Sequence, residues 1–301
     1  MGKNYSFCAN GVFDEDRMSR QLPQYREHLF NKFNRNMKLL LESKKPRKQW
    51  SHKGRLDTRK VYQYQFNENI FQKTLSQPSS DTTIIMLIDG SGSMGNRVDA
   101  FDTHFQRIEV CNAICSAFAK SVKTVLNDEL KVEVFLKSAP YIHGKGAVKG
   151  DFVTLTRVFS NSVPQVPSKY DKLLSVRTRC PVKVGDSYEG SYTAEYSVLP
   201  ALQRWMKKNI KTKSVVFFNL TDGEAYATLG KDGRRFDNKE NAYMRTKYLR
   251  GENEMTMIIG ENPAHRKSWI PVYGNNLIVA DDNFESEMFK TLMKLMESSY
   301  E

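Results

Sequence analysis

Residues 82–88, TTIIMLI, carry no charge, glycine or proline, and they run straight into Asp89-Gly90-Ser91-Gly92-Ser93-Met94. Seven apolar or hydroxyl-bearing residues are far short of the roughly 20 that a membrane-spanning helix needs. They show none of the alternation of a half-exposed strand. The run therefore reads as a strand buried on both faces, which in turn demands covering layers above and below it. The chain has the length for that, with 301 residues, of which 40% are hydrophobic and 27% charged. Such a composition excludes fibrous, collagen-like and mostly disordered classes.

The rest of the chain repeats the theme of short apolar runs alternating with helical patterns. Residues 107–126 place Ile108, Cys111, Ile114, Cys115 and Phe118 on one helical face, followed by strands at 131–137 and 152–158. A helix is expected at 195–208, a buried strand at 214–220 (SVVFFNL), a helix at 238–249 and strands at 255–260 and 276–280. A terminal helix is expected at 284–296. This order predicts an α/β fold: a doubly wound, mostly parallel sheet with helices on both faces. The segment QPSSD at 77–81 reads as a linker, which divides the chain into a basic, partly helical N-terminal extension (1–80) and an α/β domain (81–301). In the extension, Tyr25, Leu29, Phe33 and Met37 recur at four-residue steps and predict a helix over 22–41. The polar stretch 43–60 reads as a loop or arm. Tyr62, Tyr64 and Phe66 alternate with glutamines, as in a strand covering the domain edge.

Charge is distributed unevenly. Residues 1–80 hold 16 Lys and Arg against 7 Asp and Glu, a net +9 of the chain's +12. Lys44, Lys45, Arg47, Lys48 and Arg55 form the centre of this excess. Such a cluster suits an acidic protein surface or nucleic acid, and equally a solvated face. No stretch is long and apolar enough for a membrane span, and residues 1–16 lack the apolar core of a secretory signal. Four scattered cysteines (Cys8, Cys111, Cys115, Cys180) form neither a disulfide framework nor a CxxC site. A cytoplasmic location with reduced thiols is expected.

The residues with chemistry to offer fall where an α/β sheet places its ligands, beyond the carboxyl ends of strands. Asp89, Ser91 and Ser93 follow the first buried run, and Thr221-Asp222-Gly223 follows the run at 214–220. Thr193 stands in a glycine-containing loop just before a helix. Two carboxylates and three hydroxyls make an oxygen-only set, the chemistry of hard cations such as Mg²⁺ or Mn²⁺.

The pattern D-x-S-x-S, a distant Thr and a later T-D-G resembles the metal-ion-dependent adhesion site of von Willebrand factor A domains. The likeness covers residues 81–301. It implies that Ser91, Ser93 and Thr193 offer hydroxyls to the ion, while Asp89 and Asp222 act through water or from just outside the ligand sphere. Neutral hydroxyls leave much of the ion's charge uncompensated, so an Asp or Glu of a client protein can complete its shell. GRLDTRK at 54–60, NENIFQKTL at 67–75 and the DGSGSM strand also resemble the von Willebrand A region of cobaltochelatase T-type subunits. Those subunits have D-G-E where this chain has Thr193-Ala194-Glu195, so the threonine follows the integrin-type pattern instead. The likeness implies work beside an AAA+ ATPase of the MoxR and chelatase type. It implies no enzymatic activity of the chain's own, and a non-catalytic chelatase subunit is the neighbouring reading.

Other readings of the same residues are weaker. Gly90-Ser91-Gly92-Ser93-Met94-Gly95 matches G-x-G-x-x-G, but Asp89 would repel a pyrophosphate, while Lys137 at the next strand end would suit only a 2′-phosphate. Ser93, Asp222 and His265 occur in the order of an α/β-hydrolase triad, yet Ser91 stands where the nucleophile elbow needs glycine. No G-x-x-x-x-G-K-[ST] phosphate loop occurs. His104 and His143 are isolated, and Cys111 and Cys115 read as core. The polar stretch 224–241 reads as a flap beside Asp222.

Overall fold

The computed structural model describes residues 5–7, 13–43, 48–51, 55–56, 71–74, 82–100, 103–126, 130–140, 153–162, 169–178, 191–223, 237–249, 253–261, 263–280 and 284–298. They begin with β1 (Tyr5–Phe7), α1 (Leu22–Ser43), β2 (Lys48–Ser51), β3 (Arg55–Leu56), β4 (Phe71–Thr74) and β5 (Thr82–Asp89). There follow β6 (Arg97–Ala100), β7 (Thr103–Gln106), α2 (Arg107–Leu126), β8 (Lys131–Pro140), β9 (Thr154–Ser160), α3 (Lys169–Lys172) and β10 (Ser191–Tyr192). The last elements are α4 (Leu199–Asn209), β11 (Ser214–Thr221), α5 (Asn238–Tyr248), β12 (Glu254–Ile258), α6 (Arg266–Tyr273), β13 (Leu277–Val279) and α7 (Phe284–Ser298).

All eight residues of β5 are buried, because β5 lies mid-sheet. The order is β1-β9-β8-β5-β11-β12-β13, with β10 beside the end of β8. β8, β5, β11, β12 and β13 run parallel, and β9 is antiparallel to β8. Successive side chains of a strand enter opposite layers. Ile84, Met86 and Ile88 join a core with α1, α2 and α7. Ile85 and Leu87 join a second core with Leu199, Leu202 and Trp205 of α4 and Val272 and Tyr273 of α6. The protein is therefore α/β, with a mostly parallel sheet flanked by helices, compatible with a doubly wound fold. No helix among the described residues is long and apolar enough to cross a membrane.

Three local expectations need correction. Within the stretch read as an arm, Lys48–Ser51 and Arg55–Leu56 are strands, paired antiparallel to β4. Alternating polar and bulky residues suffice for such a sheet, and the breakers Pro46 and Gly54 only bound its strands. The stretch read as a flap overlaps the helix expected at 238–249, and there the helix holds: residues 238–241 open α5 with Asp237 as its cap. Asp237 accepts from the Glu240 N–H at 2.8 Å while Glu240 reaches back to the Asp237 N–H, a reciprocal cap. The third correction concerns α2, which buries far more than one stripe. Val110, Ala113 and Ala117 are as covered as Ile114, because α1 lies along its outer side. Phe33 of α1 meets Phe118 of α2 edge-on at 5.4 Å and Phe289 of α7 at 4.4 Å. Ser116, Ser121 and Asn112 of α2 are buried as well, and each donates to a carbonyl outside its own helix: Tyr170, Phe30 and, for Asn112, Val176. The linker at 77–81, the ring-bearing residues 62, 64 and 66, and positions 224–236 lie outside the described residues.

Candidate metal centre

β5 and β11 are neighbours, and the chain leaves them in opposite directions across the sheet: β8 follows on one side and β12 on the other. Such a reversal opens a crevice beyond the carboxyl ends of the two strands. Asp89 ends β5, and Asp222 follows β11 directly. Both carboxylates are fully buried.

The loop after Asp89 is shaped by its own hydrogen bonds. Asp89 Oδ1 accepts the Ser91 N–H at 2.8 Å, which folds the chain back over the carboxylate. A 3₁₀ turn then spans Gly92–Gly95 and is anchored by the fully buried Met94. The turn brings Ser91 Oγ within 3.0 Å of Ser93 Oγ. Gly90 allows a close approach to β8, since a Cβ there would lie 3.0 Å from the Leu136 side chain. From the neighbouring strand, the Thr221 hydroxyl donates to Asp89 Oδ2 at 3.0 Å and accepts the Gly223 N–H at 3.3 Å. Gly223 has φ +87°, a left-handed turn that suits glycine.

Thr193 is buried, at 2% exposure. Its segment is tied to the same sheet edge, because β10 pairs Tyr192 with Ala139 of β8 and Glu195 forms an ion pair with Lys137. Lys137 is the register partner of Asp89. The five oxygen-bearing residues proposed from sequence thus all sit on elements converging at one end of β5, β8 and β11. Of the basic residues, Lys48 and Arg55 lie in β2 and β3, and Lys44, Lys45 and Arg47 lie outside the described residues.

Three charged residues that the sequence analysis did not assign to the site stand beside these five. Glu195 is fully buried, and besides Lys137 it accepts from Tyr273 Oη at 3.2 Å and Asn219 Nδ2 at 3.4 Å. Lys137 is equally buried; its ammonium is committed to Glu195, which removes the residue as a receiver for a 2′-phosphate. A lysine alternating with Phe135 and Ala139 inside an apolar strand was the available signal. The third is Arg107, the first residue of α2, which spans from the loop after Asp89 to two strand ends. Its N–H bonds to the Asn96 carbonyl at 2.9 Å. Its guanidinium meets Asp222 Oδ2 at 3.3 Å, the Gly260 carbonyl at 2.9 Å and Glu261 at 3.5 Å.

The electrostatics single out Asp89. Burial pushes its carboxyl up to about 7, Lys137 pulls against this, and Asp222 and Glu195 push it further up. A buried like charge nearby raises the proton affinity of Asp89 and equally favours a cation beside it. The donor chemistry, two serine hydroxyls already paired beside a buried carboxylate whose hydrogen-bond donors are neutral, suits a hard divalent ion. Among the described residues no group of three or more His, Cys, Asp or Glu is arranged to hold a metal. Cys111 and Cys115 are buried in the core, where burial pushes both thiols up. His104 is exposed and pairs with Asp99 across the β6–β7 hairpin. His265 is exposed too, edge-on to Trp269 at 5.9 Å. No family model matches the chain, and no curated protein matches it.

Proposed function

We propose that the protein is a metal-dependent protein-binding module with no catalytic role of its own. Asp89, Ser91, Ser93, Thr193 and Asp222 would hold Mg²⁺ or Mn²⁺, and the ion would supply a Lewis-acidic position for an Asp or Glu carboxylate of a partner. The observation that carries this reading is the pairing of Ser91 and Ser93 hydroxyls beside two fully buried carboxylates at the strand reversal. The remaining contributions come from the chain itself. Asp89 shapes the loop through the Ser91 N–H, Thr221 fixes the second Asp89 oxygen, and Met94 pins the turn to the core.

The likeness to von Willebrand A domains supports the metal, and the likeness to chelatase T-type subunits supports the partner. On that basis the module serves as an adaptor or client selector for a MoxR- or chelatase-type AAA+ ATPase. Calorimetric titration with Mg²⁺ and Mn²⁺ tests the first half. The wild type should bind one equivalent and Asp89→Ala none, and equal affinity in the two would remove the site. Capture of a purified MoxR-type ATPase with and without EDTA tests the second half. Capture indifferent to chelation would refute a carboxylate bridge.

A further inference from the structure

Arg107 is held in place but poorly satisfied. A guanidinium carries five N–H donors. Here one good bond goes to the Gly260 carbonyl at 2.9 Å, and the contacts to Asp222 and Glu261 lie at 3.3 and 3.5 Å. Nε is buried and has no acceptor among the described residues. The side chain keeps 11% of its surface exposed at the strand-end crevice. Its position is deliberate in the structure. Gly260 has φ +81°, and a Cβ there would come 2.4 Å from Arg107 Nε, so the backbone is bare where the arginine passes. A permanent cation beside a divalent-ion site weakens the metal by Coulomb repulsion. Nε is packed against the bare Gly260 backbone, but the long Nη contacts to Asp222 and Glu261 leave an Nη donor suited to one oxygen of an incoming carboxylate through a charge-assisted hydrogen bond.

We propose that Arg107 is the second arm of the acid receptor: it takes one oxygen of the partner's carboxylate while the metal takes the other. The inference rests on the metal reading above and adds the residue that selects the acid. It predicts a split that a purely structural clamp would not produce. A clamp between α2 and the ends of β11 and β12 would, when cut, loosen metal and acid together. A recognition arm, when cut, frees the metal from a repelling charge and weakens only the acid.

The test uses the full chain, Mn²⁺ and acetate as probes, and two variants whose melting curves are recorded alongside. Mn²⁺ affinity is read from the paramagnetic resonance of the free ion, and acetate binding from relaxation of its methyl protons by the bound Mn²⁺. Arg107→Gln should bind Mn²⁺ at least about threefold tighter, through lost repulsion, and acetate about tenfold more weakly, through a lost charge-assisted hydrogen bond. Arg107→Lys keeps the charge and loses the fixed, planar Nη donors, so Mn²⁺ affinity should stay at the wild-type level while acetate weakens. Arg107→Lys decides the matter if the glutamine variant melts early. Acetate affinity unchanged in Arg107→Lys, or parallel weakening of metal and acetate in Arg107→Gln, overturns the proposal while leaving the metal site standing. Mn²⁺ binding without any acetate effect in the wild type also overturns it alone. Absence of Mn²⁺ binding in the wild type removes both readings.

Discussion

Metal binding by this centre should be coupled to a proton, and pH is the perturbation that shows it. Asp89 has its carboxyl pushed up to about 7 by burial, with Asp222 and Glu195 adding to the effect against the pull of Lys137. Its ordinary value is 3.8. The metal-free folded chain therefore binds more protons at Asp89 than the unfolded chain does between about pH 4 and pH 7, and the contribution of Asp89 to stability falls as pH rises through that window. A divalent cation needs the ionised carboxylate, so below pH 7 binding must displace the proton. For a single group of this kind the apparent affinity should be about tenfold weaker at pH 6 than at pH 8, with close to one proton released per ion at pH 6 and about none at pH 8. Calorimetric Mg²⁺ titrations in two buffers of different ionisation enthalpy count that proton directly. A flat affinity from pH 6 to pH 8, with heats independent of the buffer, would refute the reasoning.

Other perturbations act on the scaffold. Lys137→Met strands Glu195 as a buried charge and should cost about 3–5 kcal/mol in urea unfolding, with most of the loss recovered in the double variant Lys137→Met/Glu195→Gln; equal instability of the two would contradict the pairing. Gly260→Ala forces a left-handed φ and a 2.4 Å contact with Arg107 Nε, for which a loss of about 1–3 kcal/mol is expected in thermal denaturation. Phe33→Ala empties the space between Phe118 and Phe289 and should cost about 3–5 kcal/mol, detectable as a lower urea midpoint with an unchanged slope. Asp237→Ala removes the cap of α5 at a cost of about 1 kcal/mol, without altering Mg²⁺ affinity.

Buried strands were the most legible part of the chain. Residues 82–88 and 214–220 are uncharged and mostly apolar because both faces of β5 and β11 meet helices. The helix at 107–126 was legible to the residue, since the hairpin before it and the polar segment after it both break its period. The hairpin itself was not. Arg97–Ala100 and Thr103–Gln106 lack a run or alternation that would announce strands, and tertiary contacts, such as Phe105 stacked on Tyr25 at 5.3 Å, fix them. The full burial of α2 escaped notice for a related reason, because its serines and Asn112 disguise a second contact face supplied by α1. At the centre, oxygen ligand types at strand ends could be read from the one-letter code. The charges that balance them could not, because Lys137, Glu195 and Arg107 are meaningful only through partners 58 and 115 positions away.

Those partners also set Asp89 apart from the other two buried carboxylates. Burying a carboxylate is costly, and a pair with a cation offsets the cost only when geometry is favourable. Glu195 has Lys137, and Asp222 has Arg107. Asp89 is held by the Ser91 N–H and the Thr221 hydroxyl, both neutral donors, although it is as deeply buried as the other two. A core chosen for stability alone would place an apolar residue or an asparagine at the end of β5, where Gly90 already brings β8 into close contact. A buried carboxylate whose hydrogen-bond donors are neutral, whose burial outweighs the pull of Lys137, and which is flanked by two hydroxyls 3.0 Å apart, is the feature on which the proposed metal reading rests.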